Sequence, residues 1–276
     1  MKSIRVWLMA LLLALFTGQL GAGVVDIVVI VDESASMSTE HAWISPTLGT
    51  LNSELVLAGM SANYALVGFA DGGQGRTLAA MGTLAATQAA AAGLTTGGGP
   101  TEDGYAAIHY ALNHLTFTAG ALLNIILITD EDRDNSNAAL TYSSILAELT
   151  ARHALLNAAV NNPFTCGTAA LGVDQAGTAY KADGSGGFTS CTPGVIGNGD
   201  GNTETAYVPL AQATGGAAWD LNRLRAGGLT ATSFTNAFIA IKVEEIQQQD
   251  EVPEPPTSAL IGLALIGFAY LRLGRP

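Results

Sequence analysis

Two short runs of aliphatic residues constrain the fold more than any other feature of this chain. Residues 26–31 and 124–129 are continuous and rich in Ile and Val. Strands buried on both faces have this pattern, and such strands occur in parallel sheets whose faces are covered by helices. The two runs therefore predict an α/β domain built on a doubly wound, mostly parallel sheet.

Weaker patterns complete the predicted sheet and its covering helices. Apolar residues recur at helical spacing behind Ser45-Pro46, which looks like an N-cap followed by proline at the first helical position. They recur again behind Thr101, where acids favour a helix start. Residues 76–80 predict an antiparallel edge strand that follows a turn at Asp71-Gly72-Gly73. Further strands are predicted at 65–70, 153–160 and 217–221, and further helices at 144–150 and 232–246.

The amino-terminal residues 1–22 read as a secretory signal peptide. Lys2 and Arg5 form a basic start, 6–16 are apolar, and 18–22 are mostly small. An apolar run of this length is too short to span a bilayer, so a signal peptide is favoured over a buried N-terminal helix. We therefore expect the protein to be exported.

The carboxyl-terminal residues predict a marginal membrane anchor. A Pro-rich linker at 249–256 precedes an uncharged run at 257–271, which ends in Arg272 and Arg275. The run would span about 22 Å as a helix, which is short of the roughly 30 Å hydrocarbon core. The arginines favour retention of that end on the cytoplasmic side, with the body of the protein outside.

The order Pro-Glu-Pro, short apolar helix and terminal arginines resembles the PEP-CTERM sorting signal over residues 253–276. The resemblance implies a Gram-negative envelope protein that an exosortase cuts near the Pro-Glu-Pro. An ordinary tail anchor is the alternative. In either case we expect a location in the cell envelope or on the cell surface.

Charge and cysteine usage narrow the function classes. The chain has 11 Lys plus Arg against 23 Asp plus Glu, a formal net charge of −12, which disfavours binding to nucleic acid or to anionic lipid.

Cys166 and Cys191 lie in a Gly-rich insertion at about 161–203, and in an oxidising compartment they are expected to form a disulfide. No Cys-x-x-Cys motif supports a zinc or thiol redox site.

Oxygen-bearing side chains gather at the predicted ends of the two aliphatic strands. Asp32 and Asp130 each follow one strand directly, and Ser34 and Ser36 alternate behind Asp32. The carboxyl ends of neighbouring parallel strands share one edge of a sheet. Thr101 follows the loop Gly97-Gly98-Gly99-Pro100, which is flexible enough to bring its hydroxyl to the same edge. Two carboxylates and three hydroxyls are hard ligands that suit Mg²⁺ or Mn²⁺.

Asp32-x-Ser34-x-Ser36, Thr101 and Asp130 resemble the metal-ion-dependent adhesion site (MIDAS) of the von Willebrand factor A (VWA) domain, with similarity over about 24–248. The resemblance implies a Rossmann-like sheet flanked by helices. It implies that Ser34, Ser36 and Thr101 bind the metal directly, while Asp32 and Asp130 bind it directly or through water. It also implies a protein or polysaccharide partner whose carboxylate completes the coordination.

Several alternatives remain open at this point. Glu131 and Asp132 stand where the family commonly has Gly, and these extra acids could favour Ca²⁺. Thr95 or Thr96 could replace Thr101, and residues 198–202 have calcium-loop spacing although a plain turn is favoured.

We expect a binding or adhesion module without enzymatic activity. The alternatives are a structural envelope protein with a stabilising cation and, less favoured, a metal-assisted hydrolase.

Overall fold

The computed structural model describes residues 23–70, 74–99 and 101–251. The predicted signal peptide, the PEP-CTERM segment and the C-terminal anchor lie outside these residues, as does the turn at 71–73. No helix within these ranges combines the length and the apolar character needed to cross a membrane.

The described residues form one sheet of nine strands and a second sheet of three. In chain order the strands are β1 (Val24–Asp32), β2 (Ser61–Phe69), β3 (Gly75–Gly82), β4 (Leu122–Thr129), β5 (Leu155–Val160), β6 (Phe164–Cys166), β7 (Thr168–Ala170), β8 (Gly172–Val173), β9 (Ala179–Ala182), β10 (Phe188–Cys191), β11 (Val195–Ile196) and β12 (Ala218–Asp220). The large sheet has the order β10-β9-β8-β12-β5-β4-β1-β2-β3, and the small sheet has the order β11-β6-β7.

Helices cover both faces of the large sheet. After a 3-10 turn at Ala35–Met37, they are α1 (Ser38–Leu57), α2 (Leu84–Ala91), α3 (Gly104–His114), α4 (Tyr142–Ala151), α5 (Thr203–Ala213), α6 (Leu221–Arg225) and α7 (Gly228–Glu251). Val28 and Ile30 of β1 pack in the core with α3, α4 and α5. Val29 and Val31 pack on the opposite face with α1, α6 and α7. This two-sided burial explains why β1 is aliphatic without alternation.

The predicted fold class is confirmed. Strands β1, β2, β4, β5 and β12 are parallel to their neighbours within this group, and β3 is an antiparallel edge strand beside β2. From β1 the chain moves to β2 on one side and to β4 and β5 on the other, so the strand order reverses between β1 and β4. In open α/β sheets such a switch point is where ligands bind.

The start of the first long helix differs from the sequence prediction. Ser45-Pro46 was expected to begin this helix, but α1 begins at Ser38 and Pro46 lies inside it. Proline removes the hydrogen bond to the carbonyl of Ala42. Both Ala42 and Pro46 are exposed, so water can hydrate that carbonyl. The apolar residues that recur at helical spacing behind Pro46, namely Leu48, Leu51 and Leu55, are buried.

The insertion has more structure than its sequence pattern indicates. Strands β8, β9 and β10 extend the large sheet with antiparallel pairings at the edge opposite β3. The remaining strands, β6, β7 and β11, form the small sheet. A disulfide between Cys166 and Cys191 joins β6 to β10, as predicted.

Candidate metal centre

Asp32 and Asp130 lie at one edge of the sheet, at the switch point. Strands β1 and β4 are parallel neighbours, and Val31 pairs with Ile128. Asp32 is the last residue of β1, and Asp130 directly follows β4. The parallel register therefore brings together two acids that are almost a hundred residues apart in the chain.

Hydrogen bonds connect four of the five predicted ligands. The amide of Ser34 donates to Asp32 Oδ1 at 2.7 Å, and the hydroxyls of Ser34 and Ser36 are 3.0 Å apart. The hydroxyl of Ser36 donates to Asp130 Oδ1 at 3.0 Å. The 3-10 turn that follows Ser34 keeps Ser36 near its partners, with Met37 N donating to Ser34 O at 3.2 Å. These hydrogen bonds connect all four residues in one cluster, in which Asp32 is joined through the backbone amide of Ser34 and the other three through their side-chain oxygens.

Thr101 makes no hydrogen bond to the other four side chains within the described residues. Its backbone is held on both sides. Gly98 N donates to Glu33 O at 3.2 Å, and Glu102 N donates to Asp134 Oδ2 at 2.7 Å. A side chain at Gly98 would meet Ala70 Cβ at 2.7 Å and Glu33 O at 3.2 Å, so the loop can approach the ends of β1 and β2 this closely only with glycine there.

Glu33 positions the loop that leads to Thr101. Its buried carboxylate accepts two hydrogen bonds from Arg76, from Nε at 2.8 Å and from Nη2 at 2.6 Å. It also accepts from the amide and the hydroxyl of Thr95, at 3.1 and 3.2 Å. Thr95, one of the alternatives to Thr101, therefore directs its hydroxyl to Glu33. Thr96 is exposed.

Burial dominates the electrostatics of Asp32, which is 0% exposed. Burial raises the pKa of its carboxyl, hydrogen bonds from Ser34 and Thr129 lower it, and the charge of Asp130 raises it. The Thr129 hydroxyl donates to Asp32 Oδ2 at 2.8 Å, and His41 Nε2 donates to the backbone oxygen of Asp32 at 2.7 Å. Asp32 is thus rigidly held and costly to ionise without a compensating cation.

Two more acids add negative charge to this edge of the sheet. Glu102 is 3% exposed, and no described residue donates a hydrogen bond to its carboxyl group. Burial, followed by the charges of Asp32 and Glu131, raises the pKa of Glu102 to about 7. Burial and the charge of Asp130 also raise the pKa of Glu131. A bound cation would favour the ionised forms of both carboxyl groups.

One basic side chain contacts the cluster directly, and the sequence patterns did not indicate it. Arg225, at the end of α6, donates through Nη2 to Asp130 Oδ2 at 2.7 Å. Its Nε donates to Glu40 Oε1 at 2.6 Å. Burial lowers the pKa of Arg225, but the hydrogen bonds to Glu40 and Asp130 outweigh this and raise it. The guanidinium group therefore stays charged beside the candidate site.

The chemistry of these residues fits a hard divalent cation. The donors are carboxylate and hydroxyl oxygens, the ligand type of Mg²⁺ and Mn²⁺. Nowhere in the described ranges are three or more His, Cys, Asp or Glu side chains placed to hold a metal ion. A cation at this edge would thus depend on hydroxyl ligands as well as on the two aspartates.

The stretch 198–202 packs beside the site as a turn. Thr203 N donates to Asp200 O at 2.9 Å, and Asn202 Nδ2 donates to Arg133 O at 2.8 Å. The amide of Asn202 also donates to Asp132 Oδ2 at 3.3 Å. The polar groups of Asn202 thus hold the loop that follows Asp130.

We expect the stability of the metal-free protein to fall as pH rises, and Glu102 to contribute to that fall. The folded protein keeps the Glu102 proton up to about pH 7, whereas the unfolded chain loses it near the ordinary value of 4.5. Folding therefore binds a proton between these values, and the stability present below pH 4.5 is lost as pH rises through 7. Glu102→Gln should raise the free energy of unfolding at pH 8 by on the order of 1 kcal/mol.

Urea unfolding in EDTA at pH 5, 6.5 and 8 measures this effect. Glu54→Gln, an exposed position on α1, is the control and should keep the wild-type pH slope. An equal slope in the wild type and Glu102→Gln would contradict a raised pKa of Glu102 in the folded protein.

Comparisons with known proteins give likenesses of fold only. No protein-family model and no curated protein matches the chain. An aerotolerance-related membrane protein from Bacteroides fragilis is 17% identical, with a TM-score of 0.49 over 81% of this chain and 99% of that one. BatB, a conserved hypothetical protein from Bacteroides thetaiotaomicron, is 12% identical, with a TM-score of 0.47 over 82% of this chain and 99% of that one.

A mussel byssus protein, proximal thread matrix protein 1, has been solved with zinc in its MIDAS motif. It is 14% identical to this chain, with a TM-score of 0.41 over 50% of this chain and 36% of the mussel chain. The zinc is a property of that protein. For this chain, the fold is established by its own strand order and helix placement.

Proposed function

We propose that this protein is an exported cell-envelope binding module that holds one divalent cation, Mg²⁺ or Mn²⁺, and uses it to bind an acidic group on a protein or polysaccharide. Asp32, Ser34, Ser36, Thr101 and Asp130 would hold the cation. The observation that carries this proposal is the hydrogen-bonded cluster from Asp32 to Asp130 at the switch point of the sheet. When bound, the cation would supply an electrophilic centre for a carboxylate oxygen.

The exposure of the ligands supports an open face. Ser36 is exposed, whereas Asp32 is buried and Ser34 nearly so. A cation held on this cluster would therefore be enclosed from below by the sheet and accessible from the side of Ser36. An accessible coordination position is what a partner carboxylate needs.

A groove beside the cluster supports contact with more than one chemical group of the partner. It has a volume of about 290 Å³, lies between α1 and α2, and includes His41, Ser45 and Gln88 among its lining residues. The His41 ring also contacts Asp32 O, so the groove adjoins the candidate site. The polar and methyl groups that line the groove suit an uncharged part of the partner, next to the carboxylate that the cation would bind.

The placement of the chain ends supports display away from an envelope attachment. Gly23 precedes β1 at the end of the sheet opposite Asp32, and a side chain there would meet Asp250 Oδ1 at 2.9 Å. The described chain therefore begins and ends close together, far from the candidate site. A tether beyond residue 251 would leave that site facing outward.

We propose that the module has no enzymatic activity. The Ser34 hydroxyl is hydrogen-bonded to Ser36, and His41 contacts a backbone oxygen instead of a serine hydroxyl. A serine nucleophile needs a base within hydrogen-bonding reach. Two aspartates that bind one cation are also poorly suited to act as free acid and base.

The test is binding of the mature protein to envelope material from its own organism. We expect binding with Mg²⁺, loss with EDTA, loss in Asp32→Asn, and competition by soluble carboxylates. Equal binding under all of these conditions would contradict the proposal. Thermal stabilisation by Mg²⁺ without carboxylate-sensitive binding would instead indicate a cation that only stabilises the fold.

A further inference from the structure

Arg225 links three parts of the candidate metal centre. Its Nη2 donates to Asp130 Oδ2 at 2.7 Å and to the backbone oxygen of Ser36 at 3.2 Å. Its Nε donates to Oε1 of Glu40, a residue of α1 that is 0% exposed. The Arg225 side chain is only 27% exposed, so these contacts hold it in one place.

As a consequence, the two carboxylate oxygens of Asp130 have different surroundings. Oδ1 accepts a hydrogen bond from Ser36, a predicted metal ligand, at 3.0 Å. Oδ2 accepts from the guanidinium group of Arg225. A cation that bound both oxygens would share Oδ2 with a fixed positive charge, and repulsion at that distance is strong in a partly buried site.

Cations differ in how much they need that second oxygen. Ca²⁺ takes about six to eight oxygen ligands and commonly binds a carboxylate through both oxygens, whereas Mg²⁺ is smaller and prefers six ligands in an octahedron. A site that offers one oxygen from each carboxylate, with serine hydroxyls beside it, suits the smaller ion. Resting on the proposed cation site, we propose that Arg225 determines its ion preference by keeping Asp130 Oδ2 from the metal, which favours Mg²⁺ over Ca²⁺.

This role opposes the effect expected of the surrounding acids. Glu131 and Asp132 add negative charge near the site, which alone favours tighter binding of any divalent cation and could favour Ca²⁺. Arg225 acts on one named oxygen of one ligand and therefore changes the preference between ions. A general change in charge would alter both affinities together.

The experiment is a calorimetric titration of the mature protein with Mg²⁺ and with Ca²⁺ separately. In Arg225→Met we expect the ratio of the Ca²⁺ to the Mg²⁺ dissociation constant to fall by roughly tenfold or more, because Asp130 becomes free to bind Ca²⁺ through both oxygens. Most of the change should be a gain in Ca²⁺ affinity. Loss of a positive charge raises the affinity of the site for both ions. Because both dissociation constants change together, this effect cancels in their ratio.

Arg223→Met is the matched control. Arg223 lies on the same short helix, and its Nε is 3.1 Å from Asp220 Oδ2. The control removes the same charge from α6 but leaves Asp130 and its contacts intact. Its dissociation-constant ratio should equal that of the wild type.

A second variant guards against misfolding, since Arg225→Met leaves Glu40 as a buried charge without its partner. Glu40→Gln combined with Arg225→Met removes both charges and should show the same fall in the ratio. An unchanged ratio in folded variants that bind both ions would overturn the role of Arg225 while leaving the cation site intact. Failure of the wild type to bind either ion would overturn both proposals.

Discussion

We expect Asp32→Asn to lower the affinity of the protein for Mg²⁺ by roughly 100-fold or more, since removal of one partner from a buried charge pair costs about 3–5 kcal/mol. Asp32 supplies one of the two carboxylates of the cluster and is fully buried. Asparagine preserves the shape of the side chain but not its charge. Isothermal titration with Mg²⁺ measures the loss directly.

Asp26→Asn is the control for this variant. Asp26 is a buried acid of the same strand, β1, but lies at its opposite end. Its carboxylate accepts hydrogen bonds from Asn63 Nδ2 at 3.0 Å and from Thr118 N at 2.6 Å, far from the site. Its substitution should leave the Mg²⁺ affinity unchanged.

Loss of binding in Asp32→Asn should not reflect unfolding. Because burial raises the pKa of Asp32, its charged form is costly in the metal-free protein. Asparagine removes that cost, so the variant should be at least as stable as the wild type at neutral pH in EDTA. An Asp32→Asn protein that binds Mg²⁺ as tightly as the wild type would show that the cation is bound elsewhere.

Replacement of both Cys166 and Cys191 by serine should have the largest effect on stability. The disulfide closes a loop with a sequence separation of 25. The chain-entropy model gives about 3 kcal/mol for a loop of this size. Urea unfolding of the two proteins at neutral pH measures the difference.

The disulfide variant also tests how far the insertion is coupled to the site. Cys166 and Cys191 join β6 to the edge strand β10, whereas the predicted ligands lie at the centre of the large sheet. The Mg²⁺ affinity should therefore change little. Added reductant should lower the free energy of unfolding of the wild type and have no effect on the double serine variant. If the double serine variant loses less than about 1 kcal/mol relative to the wild type, the predicted stabilisation by the disulfide is contradicted.

Burial on both faces made the central strands predictable. Few structures other than a strand buried on both faces suit the aliphatic runs of β1 and β4, and both strands form as expected. Helix α2 is largely alanine, so its sequence has no apolar periodicity to identify it. Strands β8 and β11 have two residues each, which is too short for any periodic pattern.

The candidate site was predictable only where its residues follow a strand or a motif. Asp32, Ser34, Ser36 and Asp130 come together because β1 and β4 are parallel neighbours, and parallel strands of this length were predicted. Arg225 is 95 residues from Asp130 in the chain, and no local pattern points to it.

Glu102 was misleading for a different reason. Beside Asp103 it resembled an acid at a helix start, but Asp103 alone is the cap of α3, accepting a hydrogen bond from Tyr105 N at 3.1 Å. Glu102 instead lies buried near Asp32, whose charge helps to raise the pKa of the Glu102 carboxyl group. Tertiary contacts of this kind depend on the whole fold, so they became visible only in the structure.

The central claim is that one divalent cation binds at the switch point of the sheet. A crystal structure of the protein grown with Mn²⁺ tests it most directly, because the anomalous signal of manganese distinguishes the ion from protein atoms and water. We predict one strong anomalous peak at the switch point, within coordination distance of the Ser34 and Ser36 hydroxyls and beside Asp130. Manganese bound only at another place, or no peak on a protein saturated with Mn²⁺, would contradict the account.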